Sequence, residues 1–279
     1  MNIESWLHIA YLQLKSINNN NNAKLDSEIL LSYVFNKDIS WLISNSDLEL
    51  TANILKVLDN LLKRRMYGEP IAYLIKKKEF WSLPFVVSKF TLIPRPDTEI
   101  LVENTLTRLN NCTYKKILDL GTGCGCIALA LASMKLDCCI TGVDCVRESI
   151  EIAKKNAKIL QFNNVIFFHS FWFSFVNDTF DIIVSNPPYI SLNEVKNLDN
   201  ELLFEPLIAL ISSENGLGAI RHIIKNAKTY LKNMGWLLIE HGWMQKECVQ
   251  KLFKRYNFFN IGTYQDYSGN NRVTVGQKR

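Results

Sequence analysis

Four residues, Asn186, Pro187, Pro188 and Tyr189, form the segment of the chain best suited to chemistry, and we call it the acceptor loop. They follow residues 181–184, a short β-branched run typical of a strand buried on both faces. Because two prolines fix φ at about −65° and carry no N–H, they cannot extend a strand, and Asn186 is restricted to an extended conformation. The sequence therefore predicts a rigid polar loop at the end of a buried strand.

The acceptor loop could hold a planar group that carries an –NH2. The Asn186 side-chain oxygen and the Pro187 carbonyl can each accept one of the two hydrogens, and the Tyr189 ring can lie against the flat face of the group. The alternative is a plain tight turn after a strand, which an Asn-Pro pair alone would favour. The complete four-residue segment favours the amine-binding interpretation.

A second segment, residues 119–125, has the glycine pattern of a ligand site, and we call it the glycine loop. It follows a predicted strand and precedes a predicted helix, where glycines let the chain turn sharply and let a ligand approach the backbone. Its Gly-x-Gly-x-Gly spacing after Asp119 differs from the Gly-x-Gly-x-x-Gly of dinucleotide sites, and the chain lacks the Gly-Lys-Ser/Thr of a P-loop. The spacing therefore argues against an NAD-linked oxidoreductase.

An acidic residue, Asp144, ends the next predicted strand about 20 residues after the glycine loop. A carboxylate at that position can accept hydrogen bonds from both hydroxyls of a ribose, which implies a ribose-bearing cofactor. Asp144 could also cap the following helix, and the two roles are compatible. Since ligands of open α/β sheets bind where the strand order reverses, we expect the cofactor to lie beside the acceptor loop.

Two further side chains could reach this site. Trp172 follows a predicted strand at residues 165–168 and could pack at the adenine side of a cofactor pocket, or it could be a plain core aromatic. Arg95 lies between two prolines and could reach into the site, or it could belong to a surface loop.

Composition limits the class of protein. The 279 residues are 48% hydrophobic, yet no run approaches the ~18 uncharged apolar residues of a membrane span, and the first residues lack the pattern of an export signal. We therefore expect a cytoplasmic protein without a membrane segment. The net charge of +5 permits a partner bound to RNA but does not by itself indicate nucleic-acid binding.

Metal binding and disulfides are not expected. The seven cysteines include no Cys-x-x-Cys pair, so we predict reduced thiols that serve as small apolar residues. The four histidines show no spacing typical of a metal site or of a Ser-His-Asp arrangement.

The first 68 residues are predicted to form a small helical domain. Apolar residues recur there at helical spacing in three segments, residues 3–14, 25–34 and 54–62, and the asparagine run at 18–22 predicts a loop. The third helix ends in Lys63-Arg64-Arg65, which is either a solvated helix end or a contact surface for an acidic partner.

Residues 69–93 are predicted to form a β-hairpin that links the helical domain to the rest of the chain. Short apolar stretches at 71–75, 79–81 and 85–87, broken by lysines and Pro84, support this interpretation.

Residues 94–279 are predicted to form a doubly wound α/β domain with a mostly parallel seven-stranded sheet, because strand and helix patterns alternate. The predicted strands are 117–120, 138–143, 165–168, 181–184, 236–240, 261–264 and 272–275. The predicted helices are 96–109, 127–134, 149–159, 217–231 and 245–256. The last two strands follow one another without a helix, which implies an antiparallel hairpin at one edge of the sheet.

Together these segments resemble the bacterial protein-(glutamine-N5) methyltransferases that modify peptide chain release factors. The resemblance is carried by the glycine loop, Asp144, the acceptor loop, residues 94–99 (Pro-Arg-Pro-Asp-Thr-Glu) and residues 240–243 (Glu-His-Gly-Trp). It covers about residues 25–279 and so includes much of the helical domain.

The resemblance implies a class I methyltransferase fold, S-adenosylmethionine as the cofactor, and the glutamine of a release-factor Gly-Gly-Gln loop as the substrate. We further expect a monomer that needs no direct contact with nucleic acid. The residues assigned to the cofactor are Gly121, Thr122, Gly123, Cys124, Gly125, Asp144, Trp172 and Asn186, and those assigned to the glutamine amide are Asn186, Pro187, Pro188 and Tyr189. Phe171 stands where relatives often have an acidic residue, which leaves the adenine contact on that side open.

Two other functions compete with this interpretation. The same loop could hold the exocyclic amine of adenine or guanine, as in a nucleic-acid N-methyltransferase, although the chain has no second aromatic-rich basic module and no dense Lys/Arg face on the helical domain. A noncatalytic nucleotide-binding module would combine an intact glycine loop with a broken acceptor loop, and here both are intact.

Overall fold

Five helices of the described residues form the core of the smaller of two compact units, Met1–Lys77 with Asp199–Phe204. The computed structural model describes residues 1–17, 22–109, 114–197 and 199–279, so most of the predicted loop at 18–22 lies outside the described residues. The helices are α1 (Ile3–Lys15), α2 (Ala23–Phe35), α3 (Ile39–Ser44), α4 (Ala52–Met66) and α5 (Ile71–Ile75).

Side-chain caps and apolar faces explain these helices. The Asn2 side chain accepts a hydrogen bond from the backbone N–H of Ser5 (2.9 Å) and so caps α1. Asp38 accepts one from the N–H of Trp41 (2.7 Å) and caps α3, which at six residues is too short for its periodicity to predict it. The apolar faces pack into one core, whose most buried members include Ile3, Leu30, Leu31, Leu42 and Leu58.

The basic end of α4 is solvated at Lys63 and Arg64, as one of the two predictions has it, but not at Arg65. Arg64 pairs with Glu69 (2.5 Å), and the buried Arg65 pairs with Asp26 (2.7 Å) and also with Glu201. Arg65 is only 8% exposed, and its two acidic partners belong to the same unit. Its charge is therefore neutralised within the helical unit. Arg65 is therefore neither a solvated helix end nor a free contact surface.

Residues 71–75 form α5, so the prediction that they belong to the hairpin is wrong. Pro70 precedes the helix, where its fixed φ suits a helix start, and the left-handed Lys76 (φ 57°) ends it. The helix is buried along Ala72, Tyr73 and Leu74, and a short apolar run of this kind does not distinguish helix from strand.

The hairpin itself is present, as β1 (Lys77–Phe80) and β2 (Leu83–Val86). Its two turn residues, Trp81 and Ser82, both have positive φ (54° and 56°), as a tight two-residue hairpin turn requires.

A seven-stranded sheet organises the larger unit, Lys78–Leu198 with Glu205–Arg279. After a 3-10 turn at Pro96–Thr98 the elements are α6 (Glu99–Leu109), β3 (Lys116–Leu120), α7 (Cys126–Met134), β4 (Cys139–Asp144), α8 (Arg147–Leu160), β5 (Val165–His169), β6 (Phe180–Ser185), β7 (Ile190–Ser191), α9 (Leu207–Leu210), β8 (Ile211–Ser212), α10 (Gly218–Tyr230), β9 (Leu231–Glu240), α11 (Lys246–Arg255), β10 (Phe259–Gln265) and β11 (Asn271–Gln277). Strands β7 and β8 pair separately.

The strand order is β10-β11-β9-β6-β3-β4-β5, which confirms the predicted doubly wound fold. Five strands are parallel, and β11 runs antiparallel to both β9 and β10, so the predicted edge hairpin is also confirmed. Alternate residues of β6 enter two separate cores, Ile182 and Val184 in one and Ile183 in the other. A strand buried on both faces is what the run at 181–184 predicted. No helix within the described part of the chain is long and apolar enough to cross a bilayer.

Gly142 in β4 lies too close to its neighbours to carry a side chain. A Cβ added there would be 2.4 Å from Phe167 and 2.8 Å from Thr122 Oγ1. We expect Gly142→Ala to lower the free energy of unfolding by about 1–3 kcal/mol, the usual cost of overpacking, as measured by urea denaturation. Gly262→Ala in β10 is the matched control, because its added Cβ would have no neighbour nearer than 3.7 Å. Equal stability of the two variants would contradict the expectation.

Candidate active site

The glycine loop and the acceptor loop leave neighbouring parallel strands at the same level. Leu120 at the end of β3 pairs with Ser185 at the end of β6, and the Ser185 hydroxyl donates to the Leu120 carbonyl (2.7 Å). Strand β3 is also where the order reverses, since the next strand in sequence, β4, lies on its other side. The two loops therefore begin side by side at the position where open α/β sheets bind ligands.

The glycine loop owes its path to backbone angles that other residues avoid. Gly121, Gly123 and Gly125 have φ of 73°, 57° and 85°. A Cβ added to Gly123 would meet nothing within 4 Å, so open space borders the backbone there. Gly125 instead packs internally, since its added Cβ would lie 3.1 Å from Phe167. The first part of the loop thus faces a cavity, and Gly125 starts α7.

Asp119 lies buried beneath the glycine loop. Its Oδ2 accepts a hydrogen bond from the Thr122 hydroxyl (2.6 Å), and its Oδ1 has no hydrogen-bond partner within the described ranges. Burial raises the pKa of Asp119 to about 7. Asp119 is 0% exposed and does not line the cavity, so its carboxylate supports the glycine loop through Thr122.

Asp144 holds the glycine loop from the end of β4. One carboxylate oxygen accepts from the Gly123 N–H (2.9 Å) and the other from the Val146 N–H (2.9 Å). Burial raises the pKa of Asp144 above its ordinary value. Each oxygen keeps a lone pair, so Asp144 can order the start of α8 and still accept hydrogen bonds from a ribose.

A cavity of about 380 Å³ joins the two loops. Its walls include most of the predicted site residues: Gly121, Thr122, Gly123, Cys124, Asp144, Trp172, Asn186 and Pro188. Gly125, Pro187 and Tyr189 do not line it. Phe171 and His222 also line the cavity, each with its ring centroid 6.3 Å from that of Trp172, and Phe171 is 58% exposed.

Asn186 is anchored by its nitrogen. Its Nδ2 donates to the hydroxyl of Thr98 (3.1 Å), whereas neither Asn186 Oδ1 nor the Pro187 carbonyl accepts a hydrogen bond from the described residues. Two acceptors are therefore left for an incoming N–H donor, as the sequence predicts.

Tyr189 is held in place behind the cavity rather than in its wall. Its ring packs against one of the two sheet cores, and its carbonyl accepts from Gln245 Nε2 (3.0 Å). Gly216 lies so near that an added Cβ would be 2.1 Å from the Tyr189 carbonyl oxygen. Burial and the negative charge of Glu240 raise the pKa of the Tyr189 hydroxyl. These contacts fix the acceptor loop from its C-terminal side.

Arg95 lines the cavity, but its charge is already partnered. The guanidinium pairs with Glu205 and donates to the Ile93 carbonyl (2.7 Å), while Glu205 also accepts from the Ile93 N–H (2.9 Å). The Arg95 side chain is 34% exposed and Glu205 is nearly fully buried. The ion pair therefore shapes one wall of the cavity.

Sequence reasoning missed three polar residues of this site, Thr98, Glu205 and Glu240. Thr98 and Glu240 belong to segments that carry the family resemblance, yet no spacing rule gives them a role. Glu240 had one available signal, since it is an acidic residue at the carboxyl end of an apolar strand, at the edge of the sheet where ligands bind.

The described residues contain no cluster of three His, Cys, Asp or Glu side chains arranged to hold a metal ion. The six described cysteines are free thiols, and Cys112 lies outside the described residues. The polar groups that fit a ligand are instead the Asp144 carboxylate and the open backbone at Gly123, which both line the cavity.

Comparison with known proteins identifies the family to which the chain belongs. A family described as a methyltransferase domain matches residues 113–272, and one described as the PrmC N-terminal domain matches residues 5–75. The release factor glutamine methyltransferase of Buchnera aphidicola subsp. Baizongia pistaciae (strain Bp) is 62% identical over 279 residues, 100% of both chains. That of Escherichia coli (strain K12) is 42% identical over 278 residues, 99% of both chains.

Solved structures agree on the fold. The T. thermophilus 16S rRNA N2 G1207 methyltransferase in complex with AdoMet and guanosine superposes with a TM-score of 0.53 at 19% identity, over 73% of this chain and 50% of that chain. At this identity the likeness concerns the fold alone, and it confirms the predicted class I methyltransferase architecture.

Proposed function

The chain belongs to the release factor glutamine methyltransferase family, and from that premise we propose that its acceptor loop holds the side-chain amide of a release-factor glutamine for methylation. As a member of the family, the chain is an S-adenosylmethionine-dependent methyltransferase that acts on the glutamine of peptide chain release factors. The observation that carries the proposal is that Asn186 shares one cavity with the glycine loop and Asp144 while its Oδ1 has no donor among the described residues.

The polar groups around the cavity fit S-adenosylmethionine. Asp144 would accept hydrogen bonds from the ribose hydroxyls, and the backbone of residues 121–124 would border the ligand. The buried Asp119 lies beneath that backbone and holds it through the Thr122 hydroxyl. Trp172, whose ring lies 3.7 Å from the position of a Cβ on Gly121, would pack beside the adenine. When bound, S-adenosylmethionine supplies an electrophilic methyl group.

Asn186 and Pro187 would compensate for the low reactivity of the glutamine amide nitrogen. An amide nitrogen is a poor nucleophile, because its lone pair is delocalised into the neighbouring carbonyl. If Asn186 Oδ1 and the Pro187 carbonyl accept the two N–H groups, they fix the direction of the nitrogen and favour the positive charge that develops on it. No base is needed to start the reaction. Once methylated, the cationic nitrogen is strongly acidic and loses a proton readily to water.

Pro188 and Tyr189 would serve this geometry in different ways. Pro188 lines the cavity and limits the space beside Asn186. Tyr189, whose carbonyl is held by Gln245, would keep the loop in position rather than stack on the glutamine amide.

We propose further that the enzyme works in the cytoplasm, as a monomer, on the release factor itself and without direct binding to nucleic acid. Support comes from the substrate of the relatives, a protein of translation, and from the lack of a second basic aromatic module in the sequence.

Competition between two substrates tests the proposal. The purified chain and S-adenosylmethionine are incubated with a Gly-Gly-Gln loop peptide, a Gly-Gly-Asn control peptide and a mixed-sequence oligonucleotide. Mass spectrometry is expected to show the addition of one CH2 group on the glutamine peptide alone, with no competition from the oligonucleotide. Methylation of the oligonucleotide, or of both peptides equally, would contradict the proposal and favour a nucleic-acid amine or a nonspecific amide as the substrate.

A further inference from the structure

A buried carboxylate stands behind Asn186. Glu240 is the last residue of β9, is 1% exposed, and its Oε2 has no hydrogen-bond partner in the described part of the chain. Strand β9 is the parallel neighbour of β6, and Ile239 pairs with Ser185. Glu240 and Asn186, the residues that come after this pair, therefore lie side by side at the ends of two adjacent strands.

Thr98 connects Glu240 to Asn186. Its Oγ1 accepts a hydrogen bond from Asn186 Nδ2 (3.1 Å), which leaves the single hydroxyl hydrogen of Thr98 to donate to the Glu240 carboxylate. The Asn186 side chain also lowers the pKa of Glu240, as a donor directed at the carboxylate does. The nitrogen of Asn186 thus faces Thr98 and Glu240 behind the loop, and Oδ1 is left for the cavity.

We propose that Glu240 is a positioning residue, which, through Thr98, fixes the amide orientation of Asn186 so that Oδ1 rather than Nδ2 meets the substrate. A rotation of the amide by half a turn would place Oδ1 against the ionised carboxylate and would present an –NH2 group to the –NH2 group of the glutamine. Two donors cannot pair, so the flipped amide cannot hold the substrate. This inference rests on the proposed role of Asn186 as the acceptor of the glutamine amide.

The ionised state of Glu240 is what excludes the flipped amide. A protonated carboxyl group can donate to Oδ1, so it tolerates the wrong orientation. Burial, and secondarily the nearby Asp97, raise the pKa of Glu240 from an ordinary value of 4.5 to about 7, against opposing effects of Thr98, Arg272 and Asn186. Turnover is therefore expected to fall as the pH drops through about 7.

The charged and titratable groups around Glu240 come from four elements. Asp97 lies on the 3-10 turn, and Arg272 on β11 pairs with both Asp97 (3.0 Å) and Asp266 (2.9 Å). Tyr189 approaches from the acceptor loop, and its pKa is raised in part by Glu240. The adjacent His241 is occupied elsewhere, because its two ring nitrogens lie 2.9 Å from the Gly242 carbonyl and 2.8 Å from Thr274 Oγ1. Glu240 is the member of this group with a pKa raised to about 7.

Fold stability responds to the same proton with the opposite sign. Because the folded-state pKa of Glu240 lies above its ordinary value, protonation favours the folded chain, and this contribution is lost as the pH rises through about 7. Loss of turnover on acidification therefore accompanies a gain in stability from this residue. Acid unfolding would instead lower turnover and stability together, so protonation of Glu240 and unfolding can be told apart as causes of lost turnover.

The test follows kcat and KM for the Gly-Gly-Gln peptide at saturating S-adenosylmethionine between about pH 5.5 and 8.5. Wild type is expected to lose turnover below about pH 7. Glu240→Gln is uncharged at every pH and can donate to Oδ1 as the protonated acid can, so its kcat is expected to stay near the low-pH level of wild type and to lose this acidic limb. Glu240→Leu should lower kcat about 10–100-fold. An acidic limb that persists unchanged in Glu240→Gln overturns the proposal, and would point to Asp119, whose pKa is also about 7.

A second pair of variants covers the case in which Glu240→Leu does not fold. Thr98→Val removes the connecting hydroxyl at constant volume and should lower kcat about tenfold or more, with Thr98→Ser restoring it. Thr105→Val is the matched control, because Thr105 is equally buried and its hydroxyl donates only within α6, to the Leu101 carbonyl (2.7 Å). Equal turnover of Thr98→Val and Thr105→Val would refute the connection.

Two readouts separate this inference from the proposed function. Calorimetric titration should show weaker binding of the Gly-Gly-Gln peptide to Glu240→Leu than to wild type, with cofactor affinity unchanged. If wild type fails to methylate the peptide at every pH, the proposed function is wrong. If wild type methylates it and the Glu240 and Thr98 variants match wild type, only the positioning role of Glu240 is wrong.

Discussion

Asn186→Ala is expected to lower kcat for methylation of the Gly-Gly-Gln peptide by about 10²–10³-fold, the usual effect of removing one oriented group that stabilises charge in a transition state. The variant loses the Oδ1 acceptor and the tie of Nδ2 to Thr98. Cofactor affinity should change by about tenfold at most, since one neutral hydrogen bond contributes about 0.5–1.5 kcal/mol. Single-turnover kinetics with radiolabelled cofactor, together with calorimetry, measure the two quantities separately.

The control for this variant is Asn226→Ala on α10. Asn226 Nδ2 donates to the carbonyl of His222 (2.8 Å), so the substitution removes a similar amide and a similar hydrogen bond within a helix. We expect near wild-type turnover from it. Near-normal turnover of Asn186→Ala itself would show that the acceptor loop does not hold the reacting amide.

Asp144→Ala is expected to weaken binding of S-adenosylmethionine by about 100-fold or more. The variant would lose two hydrogen bonds that the ribose hydroxyls donate to the carboxylate, each worth about 1.5–3 kcal/mol. It would also release the Gly123 N–H, which Asp144 now holds at 2.9 Å. Because the acceptor loop is untouched, kcat at saturating cofactor should change far less than the dissociation constant. Isothermal titration calorimetry gives the affinity directly.

Asp178→Ala is the matched control for Asp144. Asp178 is 55% exposed and pairs with Lys116 at the surface, where such pairs contribute little. Its removal should leave cofactor affinity unchanged. If Asp144→Ala bound the cofactor as tightly as Asp178→Ala, then Asp144 would serve only to order the start of α8.

Most strands of the larger unit could be predicted because each is short, apolar and bounded by turn residues. The strand predicted at 181–184 is observed at Phe180–Ser185. The strand predicted at 236–240 begins five residues earlier, at Leu231. Its first part is polar and contains Met234 with φ 62°, and the pairing with β6 is irregular there, so no apolar pattern marks it.

The candidate site was predictable where it lies at strand ends, and not where it depends on contacts between distant segments. The glycine loop, Asp144 and Asn186 each follow a predicted strand, and parallel strands bring their ends together. Asn186 is linked to Thr98, which lies 88 residues earlier in the chain, and to Glu240, which lies at the end of β9. No periodicity in the sequence reveals these contacts. The placement of the Tyr189 ring in a core likewise depends on packing that spacing does not encode.

The six-residue stretch Asp199–Phe204 belongs to the unit of the helices, although the chain on both sides of it belongs to the larger unit. This arrangement has a consequence for protein engineering. A gene that lacks the codons for residues 1–77 would not yield a clean catalytic fragment, since it would keep this stretch while discarding Arg65, the partner of Glu201. A chimaera that borrows the helices of a relative must therefore exchange two pieces of chain together, the first 77 residues and the stretch 199–204.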